Sequence, residues 1–298
     1  MTANKSGKKS VKKTILTATV AIGASTLLSM GILQAATAAE FKKTNTIPTS
    51  YASYVEDVSQ TEQSSLPEGY KPANYTIGAI DLEYYRNQTP TSKDMGKEDA
   101  VEIGAQALWG VFDVNLEGQV IEIGYQQATD GQPRSSWYAD VVINGERKFY
   151  FSVDSITGEL FSIGHADRTL EANVSVAFDA ALDKNPQEFV TLAKELAENY
   201  NVVHGAIKSV EYNGQGYSVN DPTISIDITG ENGEIALMSF SRYDKELLGI
   251  VYSASYKPAL DYHEKQLKKL QKKVKELEKS APPVDENEVP TLTAIELE

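Results

Sequence analysis

From Trp137 to Ile163 the chain alternates between apolar and polar positions. Phe149, Phe151 and Val153 fall on one side, and Lys148, Tyr150 and Ser152 on the other. That period of two marks strands with one buried face. Asn144-Gly145 interrupts the pattern with two residues that tolerate the positive φ of a tight hairpin. A second turn, Asp154 to Gly158, leads into Glu159-Leu160-Phe161. The pattern predicts strands over 119–127, 136–143, 147–154 and 159–163. Ahead of them Ala100, Ile103, Gly104, Ala107, Leu108, Val111 and Phe112 recur at helical spacing and predict a helix over 97–112. Glu98 and Asp99 in its first turn suit the helix dipole.

The same order then returns. Asn185-Pro186-Gln187-Glu188 reads as a helix start, with Asn185 as cap and Pro186 in the first position. Phe189, Leu192, Ala193, Leu196, Ala197 and Tyr200 repeat the first helix's apolar positions 89 residues later. Strands are predicted over 206–213, 223–229, 234–240 and 246–253, with Ile224, Ile226 and Ile228 alternating cleanly. Asn144-Gly145 recurs as Asn232-Gly233 after 88 residues, and Glu159-Leu160 as Glu246-Leu247 after 87. Constant spacing of helix, turn and strand predicts a tandem duplication. The expected fold class is α+β: two units, 73–168 and 183–257, each a helix plus a four-stranded antiparallel sheet. Residues 75–85 fit either a strand or a short helix packed on the first unit, and periodicity does not decide.

Past Lys257-Pro258 the period changes again. Leu260, Leu267 and Val274 take heptad position a, and His263, Leu270 and Leu277 position d, within a basic helix over 258–279. Between His263 and Lys279 lie seven lysines and three glutamates. Three readings stay open: a helix laid on the second unit, a short coiled-coil dimer, or a cationic helix touching teichoic acid, lipid headgroups or an acidic partner. The tail 280–298, with three prolines and five acids, is expected to be disordered.

The N-terminus changes the picture of where this fold works. Five lysines up to Lys13, an uncharged apolar run from Thr14 to Leu33, and Ala36-Thr37-Ala38 before Ala39 have the order of a secretory signal peptide over 1–39, with Ala38 and Ala39 at the cleavage site. An uncleaved anchor is the alternative, since about 20 apolar residues can span a bilayer. Residues 40–72 read as a flexible spacer. The expected location is therefore secreted or on the outer surface of a bacterial cell, with a peripheral envelope contact allowed.

Composition narrows the function classes. The 298 residues include no cysteine, so disulfides and thiolate chemistry are excluded. Residues 1–39 hold five of the 28 basic residues and none of the 42 acids, so the remainder carries a net charge of −19. Such a charge opposes nucleic-acid binding. His165, His204 and His263 are the three histidines, and none lies in an H-E-x-x-H helix. There is no nucleophile elbow and no phosphate-binding glycine loop. Asp113 to Gly118 resembles half of a calcium loop, but its twelfth position is Gly124, so a helix-to-strand turn is expected. No catalytic, cofactor or metal site is predicted. Tyr138 and Tyr150 mark a candidate interaction face on the sheet, against the alternative of packed strand tyrosines.

Helix, three strands and then D-x-x-T-G-E-L resemble the PepSY module. The residues are Asp154, Thr157, Gly158, Glu159 and Leu160, after the aromatic strand Phe149-Tyr150-Phe151 and the helix opening Ala100-Val101-Glu102-Ile103-Gly104. The resemblance covers about 95–165. In the second unit Ser241-Arg242-Tyr243-Asp244-Lys245-Glu246-Leu247 stands instead, and the signature is expected to be lost there. The resemblance implies a cystatin-like arrangement, a structural role for the signature turn, and an exported, non-enzymatic protein that binds another protein, with restraint of a peptidase as the family's proposed activity. An envelope scaffold using the C-terminal helix to dock or dimerise is the alternative. A monomer or weak dimer is expected, with no cofactor.

Overall fold

The computed structural model describes residues 66–168, 170 and 174–280, with side chains as far as Glu276. The expected signal peptide with Ala38 and Ala39, most of the expected spacer and the tail from 281 lie outside the described residues. In chain order the elements are β1 Thr76–Ala79, α1 Glu83–Arg86, α2 Lys97–Phe112, β2 Val120–Gln126, β3 Ser136–Ile143, β4 Glu146–Asp154 and β5 Leu160–His165. Then follow α3 Ala180–Lys184, α4 Gln187–Asn199, β6 Ile207–Ser218, β7 Asp221–Gly230, β8 Ile235–Ser241, β9 Leu247–Val251 and α5 Ser253–Ser280.

The nine strands form one open sheet in the order β1-β2-β3-β4-β5-β9-β8-β7-β6. Every pairing is antiparallel except β1 with β2. The α+β class and the antiparallel strands are as the alternation predicts. The sequence did not foresee that β5 pairs with β9, so that the two halves share a single sheet.

One row of paired residues shows how that sheet builds its core. Ile123, Ala139, Phe151, Ile163, Ile250, Met238 and Ile226 are successive cross-strand partners and are all buried. Paired residues share a face, so α2 and α4 cover the same side. Gly104 of α2 lets the helix backbone settle on the Phe151 ring, where a Cβ would collide. Phe189 of α4 packs on Phe240. The resulting core runs unbroken through both halves.

Several boundaries differ from expectation. Val101 and Ala105, outside the predicted apolar stripe of α2, are fully buried, whereas Ile103 and Ala107 are only partly so. The reason is the segment before β1. Tyr70 and Tyr75 both donate hydrogen bonds to Glu102, and Trp109 donates to the Glu68 carbonyl, so the folded body starts ahead of residue 73. Residues 75–85 turn out to be both a strand and a short helix, β1 and α1. Asn185 does not cap α4. It ends the short helix α3, whose N-terminus Asp179 caps by accepting from Ala181 and Leu182, and α4 begins after Pro186 without a side-chain cap. The last helix starts at Ser253, not 258, and runs through Pro258. Tyr256 anchors its first turns by donating to Asp227 at 2.7 Å.

Candidate functional site

Three features bear on function: a pair of equivalent turns, a ladder of tyrosines, and the far half of α5.

The signature turn is a closed hydrogen-bond system. Asp154 Oδ1 accepts the amides of Ile156 and Thr157 at 2.8 and 2.6 Å. The Gly158 amide donates to the Asp154 carbonyl, and the Asp154 amide to the Glu159 carbonyl. Gly158 has φ +77°, which suits glycine. Arg134 Nε reaches Asp154 Oδ2 at 2.6 Å, while its Nη2 bonds Thr157 and pairs with Glu159. Burial works against the Glu159 carboxylate, but Arg134 and the Thr157 hydroxyl outweigh it, so its pKa lies below the usual range. Leu160 packs against the core beside this turn.

The second half keeps the same turn with other residues. Ser241 Oγ accepts the amides of Tyr243 and Asp244, the Lys245 amide donates to the Ser241 carbonyl, and the Ser241 amide to the Glu246 carbonyl. Each bond stands 87 positions after its counterpart. Asp244 replaces Thr157, with Oδ1 accepting the Glu246 amide as Thr157 Oγ1 accepts that of Glu159. Lys245 takes Gly158's place at φ +65°. The β-bulge between Ser152 and Val153 recurs between Ser239 and Phe240. The expected loss of the signature is thus a loss of letters only. Short polar side chains of different kinds satisfy the same backbone amides.

The charge clamp on the second turn uses different residues. Asp221 stands where Arg134 would fall, and its Oδ1 accepts from Ser241. The cation comes instead from Arg168, after β5. Arg168 pairs with Asp221, with Asp244 at 2.7 Å and with Glu246 at 2.6 Å. Burial raises the Asp221 pKa, only partly offset by Ser241 and Arg168. Asp244 goes the other way, because Arg168 and the turn's donors outweigh burial. His165 lies beside this cluster, between the rings of Phe112 and Phe149, with Nε2 3.3 Å from Glu246. Burial and then the Arg168 charge hold its pKa down to about 4, so the ring is neutral near pH 7.

The candidate face with Tyr138 and Tyr150 lies opposite α2. Tyr85, Tyr138 and Tyr150 stack in a ladder with centroids 6.3 and 6.2 Å apart. The ladder rests on glycines. The Tyr85 ring occupies the space a Gly124 side chain would take, and Tyr150 lies over Gly164 and Gly249. Tyr138 donates to Asp140, whose carboxyl is raised by burial, and burial pushes the Tyr150 phenol up to about 12. Both rings are half-buried, so most of this face is spent on packing and on sealing the β5–β9 junction.

The first turns of α5 lie on β5 and β8 on that same side of the sheet, and Tyr262 reaches Gly131 before β3. Beyond Tyr262 the helix leaves the body. Leu267, Leu270 and Val274 are 40%, 57% and 52% exposed. Sequence periodicity found this seam, although it could not show that the body leaves it uncovered.

Other candidates resolve into structure. Asp113 caps α2 with φ 55°, and Glu117 accepts from the amide and side chain of Asn74, so this segment is a helix-to-strand turn. His204 sits on the surface against Glu234. Among the described residues no group of three or more histidines, aspartates or glutamates could hold a metal, and no helix is long and apolar enough to cross a membrane. An open cleft of about 860 Å3 lies between the ends of α2 and α4, lined among others by Glu68, Trp109, Asp113, Tyr200 and Glu246. Its lining holds no serine, threonine, lysine or histidine.

No family model matches the chain, and no curated protein sequence matches it. Among solved structures the C-terminal domain of Bacillus megaterium YpeB is distantly similar, at 9% identity and a TM-score of 0.35, over 54% of this chain and 65% of that domain.

Proposed function

We propose that this chain is an exported, non-enzymatic protein of the cell envelope that binds another protein, and that α5 is the arm it presents. The far half of α5 carries the reading. Tyr256 on Asp227 clamps its start to the sheet, while Leu267, Leu270 and Val274 stand exposed beyond it. A helix fixed at one end, with an apolar stripe in solvent at the other, is suited to helix-on-helix or helix-in-groove contact. Exposed apolar stripes of this kind mark contact surfaces.

The finer reading is that both halves are PepSY-like, cystatin-like units derived by duplication. The turn hydrogen bonds and the bulge that recur after 87 residues support it. In this reading the fused sheet is a rigid mount, and a peptidase is the first partner class to test because the signature resemblance points there.

The test is deletion of 264–298 in producing cells. Retention in the envelope fraction and cross-linking to a partner should both be lost, while the shortened chain still accumulates. Unchanged fractionation and cross-linking would refute the arm. A panel of the source cell's secreted peptidases, assayed with and without the protein, checks the partner class; no inhibition removes the peptidase.

A further inference from the structure

We infer that the exposed seam of α5 pairs with the same seam of a second copy, in parallel. The inference rests on the arm reading above and names its occupant. Leu267, Leu270 and Val274 are all exposed, so the body leaves this seam uncovered. Roughly 15 residues of isolated helix are marginal in water. The internal ion pairs Lys268–Glu264 at 2.6 Å and Lys272–Glu276 at 3.9 Å, between exposed side chains, contribute little.

Charge placement selects the partner. Six of the seven lysines between His263 and Lys279 fall at heptad positions b, c and f, away from the seam. Flanking the seam, positions e are Glu264, Gln271 and Glu278, and positions g are Gln266 and Lys273. In a parallel pair, g of one copy meets the following e of the other. Gln266 then meets Gln271, and Lys273 meets Glu278, with no like-charge contact. In the antiparallel pair built on the same layers, Lys273 meets Lys273 and Glu264 meets Glu278. Leu at d with Val274 at a also suits two parallel strands.

An anionic membrane surface is the alternative occupant, since an apolar stripe opposite a lysine-rich face also suits a helix lying in an interface; binding to anionic vesicles by a chain that stays monomeric would overturn the pairing. An acidic segment drawn to the lysines would sit on the far face and leave the seam bare.

Sedimentation of the chain recovered from producing cells should show a concentration-dependent monomer–dimer equilibrium. Leu270→Asp should weaken it at least tenfold, with the near-ultraviolet circular dichroism of the body unchanged. Lys273→Glu should weaken it roughly tenfold, and adding Glu278→Lys should restore it to within about threefold. The chain has no cysteine of its own. Val274→Cys should therefore form a disulfide with its own copy under mild oxidation. A chain that stays monomeric, a Leu270→Asp variant that still dimerises, or preferential cross-linking of Leu270→Cys to Val274→Cys would each overturn the inference. If the chain is monomeric and deletion of 264–298 still releases it from the envelope, the pairing fails and the docking arm stands.

Discussion

Ile163 on β5 and Ile250 on β9 are Cα partners, and they occupy the same place in the two halves, 87 residues apart. Ser162 pairs with Val251, and Gly164 with Gly249, on either side. Equivalent strands thus meet by a self-complementary antiparallel pairing, as at a two-fold dimer interface, but within one chain. In separate units β5 and β9 would both be exposed edges. Pairing them removes two aggregation-prone edges at once.

The junction should be sensitive to size. A Cβ on Gly164 would lie 2.5 Å from the Leu248 carbonyl oxygen and 3.0 Å from the Gly249 Cα. Gly164→Ala is expected to destabilise by about 1–3 kcal/mol through overpacking. Gly214→Ala, where nothing lies within 4 Å, serves as control and should change little. Denaturant midpoints of the two variants check this, and equal midpoints would refute it.

Arg168 should matter more than Arg134. Removing Arg168 leaves Asp221, fully buried, with Ser241 as its side-chain donor. Arg168→Ala is expected to cost about 3–5 kcal/mol, the range for breaking a buried ion pair. After Arg134→Ala, Asp154 keeps two backbone amides, so the loss should be roughly 1–2 kcal/mol. Adding Asp221→Asn to Arg168→Ala should recover much of the loss, which a double-mutant cycle would read directly.

The two turns predict opposite effects of exchanging their left-handed residues. Lys245 holds φ +65° with a Cβ, and its ion pair to Glu188 joins two exposed side chains. Lys245→Gly should stabilise by about 0.5–1 kcal/mol. Gly158→Lys should destabilise by at least ~1 kcal/mol, since its Cβ would also crowd Ile103 at 3.1 Å. Thermal melts of both variants test the pair.

His165 makes stability fall as the pH is lowered. The unfolded ring takes up a proton near pH 6.5, whereas the folded one waits until about 4. Its contribution is complete above about pH 6.5 and is lost as pH falls towards 4, amounting to at most ~3 kcal/mol. Glu159 and Asp244, with lowered pKa values, lose their contributions in the same direction at lower pH. Asp221 and Asp140, raised by burial, oppose them. His165→Gln should flatten the dependence between pH 6.5 and 4.5, whatever its effect at neutral pH. An unchanged slope would show that the ring is not the group responsible.

Local spacing alone determined α2, α4, the heptad part of α5 and strands β2 to β9 in their order, but it did not decide β1 and α1 and missed α3. Alternation at Phe149, Phe151 and Val153 and at Ile224, Ile226 and Ile228 specified strands, because a half-buried sheet imposes a period of two. The heptad positions of Leu267, Leu270 and Val274 were legible for the same kind of reason. Only tertiary structure decided that β5 pairs with β9, since edge pairing uses backbone groups common to every residue. It also decided that Tyr150 covers two glycines, one on each strand of the junction. Arg168 meets Asp221, Asp244 and Glu246 across more than 50 residues of chain, which no short-range pattern encodes. The second turn was hidden because Ser241 and Asp244 accept its amides as Asp154 and Thr157 accept those of the first, so different letters give the same geometry.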